Sequence, residues 1–294
     1  MQVIIDFDGT LTSEETQAST LAEMSISSLA SDVLQVPRDR LVREYAETRA
    51  RLLAAPHRYS WEVNGLRASY CNEGAFILNT TTLQTLLREN QDYADAVARA
   101  FPNAEYDPIV DCTNALFHRN TALIGPAFRP QAATLLNALL HHPTRCPVVL
   151  TNSLGDKVTR LLSTLPLDAP VQVLGDTRQY EMAPNWTQTW QHPTLGAIQI
   201  WPVSRRYSVD LRRPDYYRAL QTAAQRDPHR VVVADTFSLP GALPLMMGIP
   251  FCLLRTPYTP RWCARAVRRH PHGRVLNSLS DLLPTLEELE PRDA

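Results

Sequence analysis

The sequence predicts an α/β fold in which a doubly wound, mostly parallel sheet carries an inserted, mainly helical domain. Short apolar strands alternate with helical patterns from about residue 128 onward, which is typical of a sheet covered on both faces. A further apolar strand occupies residues 2–5 and ends at a turn. The helical block between these two regions interrupts the alternation. We therefore expect a core domain at residues 1–11 and 128–294 and an inserted domain at residues 12–127.

Helical periodicity dominates the inserted domain. Thr12 or Ser13 would cap its first helix, because a hydroxyl can accept from the first backbone N–H groups. The stretch at residues 55–80 looks less regular. The helices are expected at residues 12–35, from Pro37 onward, and at residues 83–100.

Strands and helices alternate in the core. The strands are expected at residues 147–150, 171–174, 231–234 and 250–254. The helices are expected near residues 130–140, 157–165, 214–225 and 240–247, with another from about residue 277. Residues 176–210 look like extended segments joined by turns.

Charge and cysteine usage narrow the class of protein. A formal net charge of -1 gives no electrostatic reason to expect nucleic acid or an anionic membrane as a partner. Five cysteines without zinc-site spacing favour free thiols in a reducing compartment. Residues 2–5 already look like a strand, which leaves no room for a leader. We expect a cytoplasmic protein, a monomer or homodimer, that binds neither nucleic acid nor a membrane.

Polar residues directly after apolar strands are the first candidates for a site, because ligands of open α/β sheets bind at the carboxyl ends of the strands. Asp6 and Asp8 follow the first strand, Thr151 follows the strand at 147–150, and Asp235 follows the strand at 231–234. Residues two apart in an extended strand point the same way, so Asp6 and Asp8 can face one group together.

The run from Ile4 to Thr12, IIDFDGTLT, resembles the first signature of the haloacid dehalogenase-like (HAD) hydrolase superfamily. The resemblance implies a Rossmann-like core with a C1-type cap. It implies that Asp6 attacks phosphorus to form an aspartyl-phosphate, and that Asp8 acts first as acid and then as base. Gly9 would permit a tight turn that brings backbone N–H groups to the phosphate, and Thr10 would orient that turn. The alternative for Asp6 and Asp8 is a plain Asx turn at a strand end.

Thr151 and Asn152 resemble the second signature of the superfamily. Thr151 would donate its hydroxyl to a phosphate oxygen, and Asn152 would lie in the substrate site. The alternative is that Thr151 only caps the following helix. Arg213, next to Pro214 at a helix start, resembles the third signature, in which a cation offsets charge on the phosphoryl group. The sole lysine, Lys157, is the rival for that role.

Asp235 resembles the fourth signature, which supplies acidic metal ligands, but the sequence departs from the pattern there. A second acid is common three to five residues later, whereas residues 236–240 are Thr, Phe, Ser, Leu and Pro. The resemblance implies a Mg²⁺ ion held by Asp6, Asp8 through its backbone carbonyl, Asp235, a substrate oxygen and waters. The gap after Asp235 would weaken metal binding.

The function implied by the resemblance is Mg²⁺-dependent hydrolysis of a small phosphoester, with a small phosphorylated metabolite as partner. Three alternatives stay open. A phosphomutase would use the same motifs, and a catalytically weakened binding protein would explain the missing acid. A 2-haloacid dehalogenase would also use an Asp nucleophile, but displacement at carbon needs no acid for the leaving group, so Asp8 argues against it.

Overall fold

The computed structural model describes residues 1–186, 199–223 and 227–290. The chain forms two compact units. The core unit combines Met1–Ser13 with the described residues from Phe128 onward, and the inserted unit is Glu14–Ala127.

Ten strands lie in the described residues. In chain order they are β1 (Gln2–Ile5), β2 (Ser60–Val63), β3 (Leu66–Tyr70), β4 (Cys146–Leu150), β5 (Gln172–Leu174), β6 (Ile200–Pro202), β7 (Ser208–Asp210), β8 (Arg230–Ala234), β9 (Phe251–Leu254) and β10 (Gly273–Leu276).

Eleven α-helices lie in the same ranges. They are α1 (Glu14–Ser28), α2 (Arg38–Ala54), α3 (Ala75–Glu89), α4 (Gln91–Ala100), α5 (Pro108–Ile124), α6 (Ala132–His141), α7 (Gly155–Leu162), α8 (Pro214–Ala223), α9 (Ala242–Met246), α10 (Arg261–Arg269) and α11 (Leu282–Leu289).

The core unit is built on a six-stranded sheet with the order β10-β9-β8-β1-β4-β5, and every neighbouring pair in it is parallel. The predicted doubly wound α/β class is therefore confirmed. β1 lies between β4 and β8, with Ile5 in register with Val149 on one side and Val233 on the other. The polar residues that follow these three strands consequently meet at one edge of the sheet.

Apolar side chains cover both faces of this sheet because successive residues of a strand point to opposite sides. Ile4 belongs to the buried cluster on one face, together with residues of α8, α9 and α10. Val3 and Ile5 belong to the cluster on the other face, together with residues of α6, α7 and α11. This alternation explains why the strand reads as continuously apolar.

Other parts of the core unit depart from the sequence predictions. β6 and β7 form a separate antiparallel pair within the stretch expected to be extended, of which residues 187–198 lie outside the described residues. The predicted end of a helix near Gln225 also lies outside them. α10 and β10 were not predicted from the sequence, and β10 forms the edge of the sheet next to β9.

The inserted unit is mainly helical, but the expectation of irregular structure at residues 55–80 is wrong. β2 and β3 form an antiparallel hairpin there, and α3 begins at Ala75. Asn64 and Gly65 join the strands with φ values of 52° and 70°. Two consecutive residues with positive φ match the twist of a hairpin, and Asn-Gly is the dipeptide that favours them.

A single helix predicted at residues 83–100 is also wrong. The structure has α3 and α4 instead, separated at Asn90. Asn90 has extended backbone angles, and its side-chain oxygen accepts from the backbone N–H of Tyr93 at 3.2 Å. An Asn that caps a helix in this way offers the backbone an alternative to continuing the preceding one.

No helix in the described ranges has both the length and the apolar character that a bilayer crossing requires.

Candidate active site

The segment that follows β1 forms an irregular helical turn, Phe7–Leu11. Asp6 precedes it and donates its backbone N–H to Val233 at 2.9 Å, which fixes the residue beside the end of β8. The turn closes where the backbone N–H of Thr12 donates to the carbonyl oxygen of Phe7 at 3.2 Å. Gly9 has φ +74°, a conformation in which an L side chain is strained, so glycine is required there.

Asp235 lies directly against this turn. A Cβ atom at Gly9 would stand 2.3 Å from Oδ2 of Asp235, so only glycine allows the approach. The hydroxyl of Thr10 accepts from the backbone N–H of Asp235 at 3.0 Å and lies 3.4 Å from its Oδ1. Asp235 is 5% exposed. The turn after β1 and the residue after β8 thus form one packed group.

The loop after β4 contributes hydroxyl groups. The backbone N–H of Ser153 donates to Oγ1 of Thr151 at 3.1 Å, which leaves the hydroxyl hydrogen of Thr151 available as a donor. Oγ of Ser153 donates to Oδ2 of Asp8 at 2.8 Å. Oδ1 of Asn152 accepts from the backbone N–H of Gln179 at 2.8 Å, and its place in the substrate site stays a prediction. Ser153 follows Thr151 and Asn152 in the run that resembles the second signature, but no role for it is predicted from the sequence.

Arg213 is a buried cation, only 1% exposed, immediately before α8. Its Nε donates to the carbonyl oxygen of Asp210 at 2.9 Å, and Nη1 donates to that of Gln179. These two bonds to carbonyl oxygens fix the orientation of the guanidinium. The rival cation, Lys157, is half-exposed on α7.

The carboxylates of Asp6, Asp8 and Asp235 interact electrostatically, as the pKa of Asp6 indicates. Burial raises the pKa of Asp6 well above its usual range, and the nearby carboxylates of Asp235 and Asp8 raise that pKa further. A hydrogen bond from the backbone of Phe7 opposes them. A buried group of like charges favours either protonation or a bound cation.

Tyr216 on α8 also belongs to this region and was missed by the sequence analysis. Its phenol donates to the carbonyl oxygen of Pro240 at 2.7 Å. Burial raises the pKa of Tyr216, the charge of Asp6 raises it further, and the charge of Arg213 lowers it. The phenol therefore experiences the fields of the candidate nucleophile and of the candidate cation together. A buried tyrosine shortly after a helix start gives no distinctive sequence signal.

The loop after Asp235 is buried and carries no acid at residues 236–240. Phe237 has no exposed surface, and its ring makes edge contacts with Trp201 at 5.4 Å and Trp262 at 5.7 Å between centroids. Ser238 is 2% exposed. Phe237 thus anchors the segment without an acid in the apolar core.

The donor set fits a hard cation with few protein ligands. Across residues 1–186, 199–223 and 227–290, no group of three or more His, Cys, Asp or Glu side chains is arranged to hold a metal ion. The predicted set is smaller, with two carboxylates, Asp6 and Asp235, and the carbonyl oxygen of Asp8. Mg²⁺ commonly keeps several waters and takes one or two carboxylates from the protein. The mutual repulsion of Asp6 and Asp235 is what such an ion would relieve.

Comparisons with known proteins give structural likeness only. No protein-family model matches the chain, and no curated protein matches its sequence. A 2-haloacid dehalogenase from Pseudomonas syringae is 18% identical with a TM-score of 0.48, over 98% of this chain and 99% of that one. A putative HAD-hydrolase from Bacillus subtilis, solved with bound magnesium, is 12% identical with a TM-score of 0.49, over 97% of each chain. A predicted phosphatase from Clostridium acetobutylicum is 12% identical with a TM-score of 0.48, over 98% of each chain. With TM-scores below 0.5, this likeness assigns no activity to the chain.

Among the residues predicted from the sequence, Asp6, Asp8, Gly9, Thr10 and Asp235 form one group at the carboxyl edge of the sheet. Contacts link this group to the loop after β4 through Ser153. The charges of Asp6 and of Arg213 both act on the pKa of Tyr216, in opposite directions. The carboxyl edge of the sheet thus carries a group of buried or half-buried carboxylates, with the hydroxyl groups of Thr151 and Ser153 on the neighbouring loop.

Proposed function

We propose that this chain is a HAD-like hydrolase, a Mg²⁺-dependent phosphatase that hydrolyses a small phosphoester through an aspartyl-phosphate on Asp6. The observation that carries the proposal is the packing of Asp235 against the turn that follows Asp6 and carries Asp8. A Cβ at Gly9 would come within 2.3 Å of Asp235, so the turn and the acid are built to be adjacent.

Asp6 would act as the nucleophile. An oxygen of its carboxylate attacks phosphorus, the bond to Asp6 forms, and the bond from phosphorus to the ester oxygen breaks. Asp8 gives its proton to the departing oxygen. Ser153 holds Oδ2 of Asp8 at 2.8 Å, so the acid is oriented before substrate binds. Orientation of this kind supplies part of the rate enhancement without a chemical step of its own.

Hydrolysis of the intermediate completes the cycle. Asp8, now ionised, takes a proton from a water molecule, and that water attacks the phosphorus of the aspartyl-phosphate. The bond between phosphorus and Asp6 breaks, which restores the carboxylate and releases inorganic phosphate. The same residue thus serves as acid and then as base.

Charge on the transferring group is offset by donors and a cation. The hydroxyl oxygen of Thr151 accepts from the backbone N–H of Ser153, and its hydroxyl hydrogen would donate to a phosphoryl oxygen. The buried guanidinium of Arg213 supplies a positive charge that is held in place by two carbonyl oxygens. When bound by Asp6, Asp235 and the carbonyl of Asp8, Mg²⁺ would offset the negative charge of the carboxylates and of the phosphoryl oxygens.

The test is release of phosphate from an aryl phosphate such as p-nitrophenyl phosphate. We expect turnover that requires Mg²⁺, disappears with a chelator, and is lost in Asp6→Asn. Asp156→Asn, an exposed acid on α7, is the matched control and should keep wild-type activity. A wild-type protein without phosphatase activity on this substrate and on a panel of small phosphoesters would contradict the proposal. Transfer of the phosphate to a second hydroxyl instead of water would identify a phosphomutase.

A further inference from the structure

Arg129 makes contacts with the turn after β1 that the proposed chemistry does not use. Its Nε donates to the carbonyl oxygen of Thr10 at 3.1 Å, and its Nη2 donates to that of Gly9 at 2.6 Å. Its backbone N–H donates to Leu11 at 2.9 Å. One half-buried residue thus holds three consecutive carbonyl groups of the turn.

Two of those carbonyl groups, on Gly9 and Thr10, belong to residues that also contact Asp235. Thr10 is bonded to Arg129 through its carbonyl oxygen and to the backbone N–H of Asp235 through its hydroxyl. Gly9 is bonded to Arg129 through its carbonyl oxygen and packs its Cα against the carboxylate of Asp235. Arg129 and Asp235 therefore hold the same two residues through different atoms.

We propose that Arg129 is a positioning residue, which fixes the turn carrying Asp8 and, through Thr10, the carboxylate of Asp235. This role rests on the proposed function for its effect on Mg²⁺ and turnover, but its structural part stands on the contacts alone. Residues 236–240 contain no second acid, so Asp235 is the one carboxylate that this loop can offer to a cation. The position of that carboxylate therefore matters more than it would in a loop with two acids.

The side-chain type at position 129 is suited to this role. A planar guanidinium presents several N–H donors in a fixed fork, so it can bond two neighbouring carbonyl oxygens at once. A lysine ammonium keeps the charge but lacks the fork. Since the two effects separate in this way, Arg129→Lys distinguishes hydrogen-bonded positioning from simple charge.

Hydrogen–deuterium exchange tests the structural part without any activity. The reporters are the amides of Thr12, bonded to Phe7, and of Asp235, bonded to Thr10. We expect Arg129→Met to speed exchange of the peptides containing them about tenfold or more, and Arg129→Lys to give an intermediate increase. Peptides of β9 should not change. Arg255→Met, at an exposed arginine that bonds Asn277 at 3.4 Å, is the control and should leave both reporters as in wild type.

Calorimetric titration with Mg²⁺ alone tests the consequence for the site. We expect Arg129→Met to weaken Mg²⁺ binding roughly tenfold or more, as is found for residues that orient metal ligands. Unchanged exchange in Arg129→Met, or wild-type exchange in Arg129→Lys, would overturn the proposed positioning. Faster exchange with an unchanged Mg²⁺ dissociation constant would overturn the link to Asp235. If Arg129→Met does not fold, the Arg129→Lys comparison decides. A wild-type protein that neither binds Mg²⁺ nor hydrolyses phosphoesters would refute the proposed function, while the exchange result would still decide the role of Arg129.

Discussion

The turns that leave the neighbouring strands β1 and β8 are held by different mixtures of hydrogen bonds and apolar packing. The turn Phe7–Leu11 after β1 is held by polar contacts, among them the bonds from Arg129 and from the backbone of Thr12. The loop at residues 235–241 after β8 is buried throughout, and its main anchor is the ring of Phe237 in an aromatic cluster. The first turn carries one candidate acid and follows another, whereas the second has only Asp235.

This difference has a physical consequence for the site. Hydrogen bonds fix direction over short distances, and they suit a turn whose carbonyl and carboxylate groups must all point toward one ligand. Packing fixes position through many small contacts, and it suits a loop that has to place a single carboxylate. We therefore expect changes in the two loops to have different signatures in activity and in stability.

Among changes in these two loops, the largest effect should come from Asp235→Asn, since the second loop has no other acid. The amide keeps the size of the side chain but removes its charge. We expect kcat/KM for an aryl phosphate to fall roughly a thousandfold, with weaker Mg²⁺ binding, because a charged ligand is lost from a site with few of them. Steady-state kinetics at varied Mg²⁺ measure both quantities. Asp168→Asn is an exposed control, and a fall of less than tenfold at Asp235 would mean that its charge is not needed.

The next effect separates packing from hydrogen bonding. Phe237→Ala removes a fully buried ring, so we expect the free energy of unfolding to fall by about 3–5 kcal/mol. Thr10→Ala leaves the backbone N–H of Asp235 without its acceptor and should cost about 1–3 kcal/mol. Urea unfolding of both variants measures the difference. Equal losses in the two variants would contradict the distinction between the loops.

The sequence predicts the first loop far better than the second. Asp6, Asp8 and Gly9 are recognisable because their chemistry and backbone angles admit few other residues. The residues that fill the second loop, such as Phe237, are ordinary apolar residues, and only the tertiary structure shows what they pack against. Arg129 is likewise invisible in the sequence, because its bonds go to carbonyl oxygens, which every residue has.

The same contrast holds for the fold. The sheet could be predicted because its strands are continuously apolar and alternate with helices. The β2–β3 hairpin was missed although Asn64 and Gly65 are a strong local turn signal, since the strands beside them are short and only partly apolar. The break between α3 and α4 depends on one Asn that also tolerates a helix interior, so local propensity did not decide it.

A smaller effect is expected at the contact that joins α8 to the second loop. Tyr216→Phe removes the hydroxyl that donates to the carbonyl oxygen of Pro240 at 2.7 Å and leaves that buried oxygen without this donor. The free energy of unfolding should fall by about 1–2 kcal/mol, while kcat changes less than tenfold. Chemical denaturation measures the free energy of unfolding, and steady-state kinetics measure kcat. A loss of kcat far beyond the loss of stability would instead place the phenol in the chemistry.

The smallest expected effect is on the free energy of unfolding of the metal-free protein. It is a gain in stability, whereas the other stability changes predicted above are losses. Burial raises the pKa of Asp6, and the carboxylates of Asp235 and Asp8 raise it further. In the unfolded chain an aspartate titrates near its usual pKa of about 4. The native state thus binds the proton more tightly, and its stability falls as pH rises from about 4 through the raised pKa. Asp6→Asn has no carboxylate to ionise at this position. Its free energy of unfolding should therefore exceed that of the wild type by a margin that grows as pH rises from about 4 through the raised pKa.

Thermal unfolding in chelator measures this effect. We expect Asp6→Asn to melt a few degrees above wild type at pH 7.5, with little difference near pH 4. Mg²⁺ should narrow the gap at pH 7.5, because the cation relieves the repulsion that the substitution removes. Equal melting temperatures at both pH values would show that the three carboxylates do not repel one another in the folded chain. Lower activity with higher metal-free stability in one variant would show that the charge needed for attack on phosphorus is the charge that opposes folding.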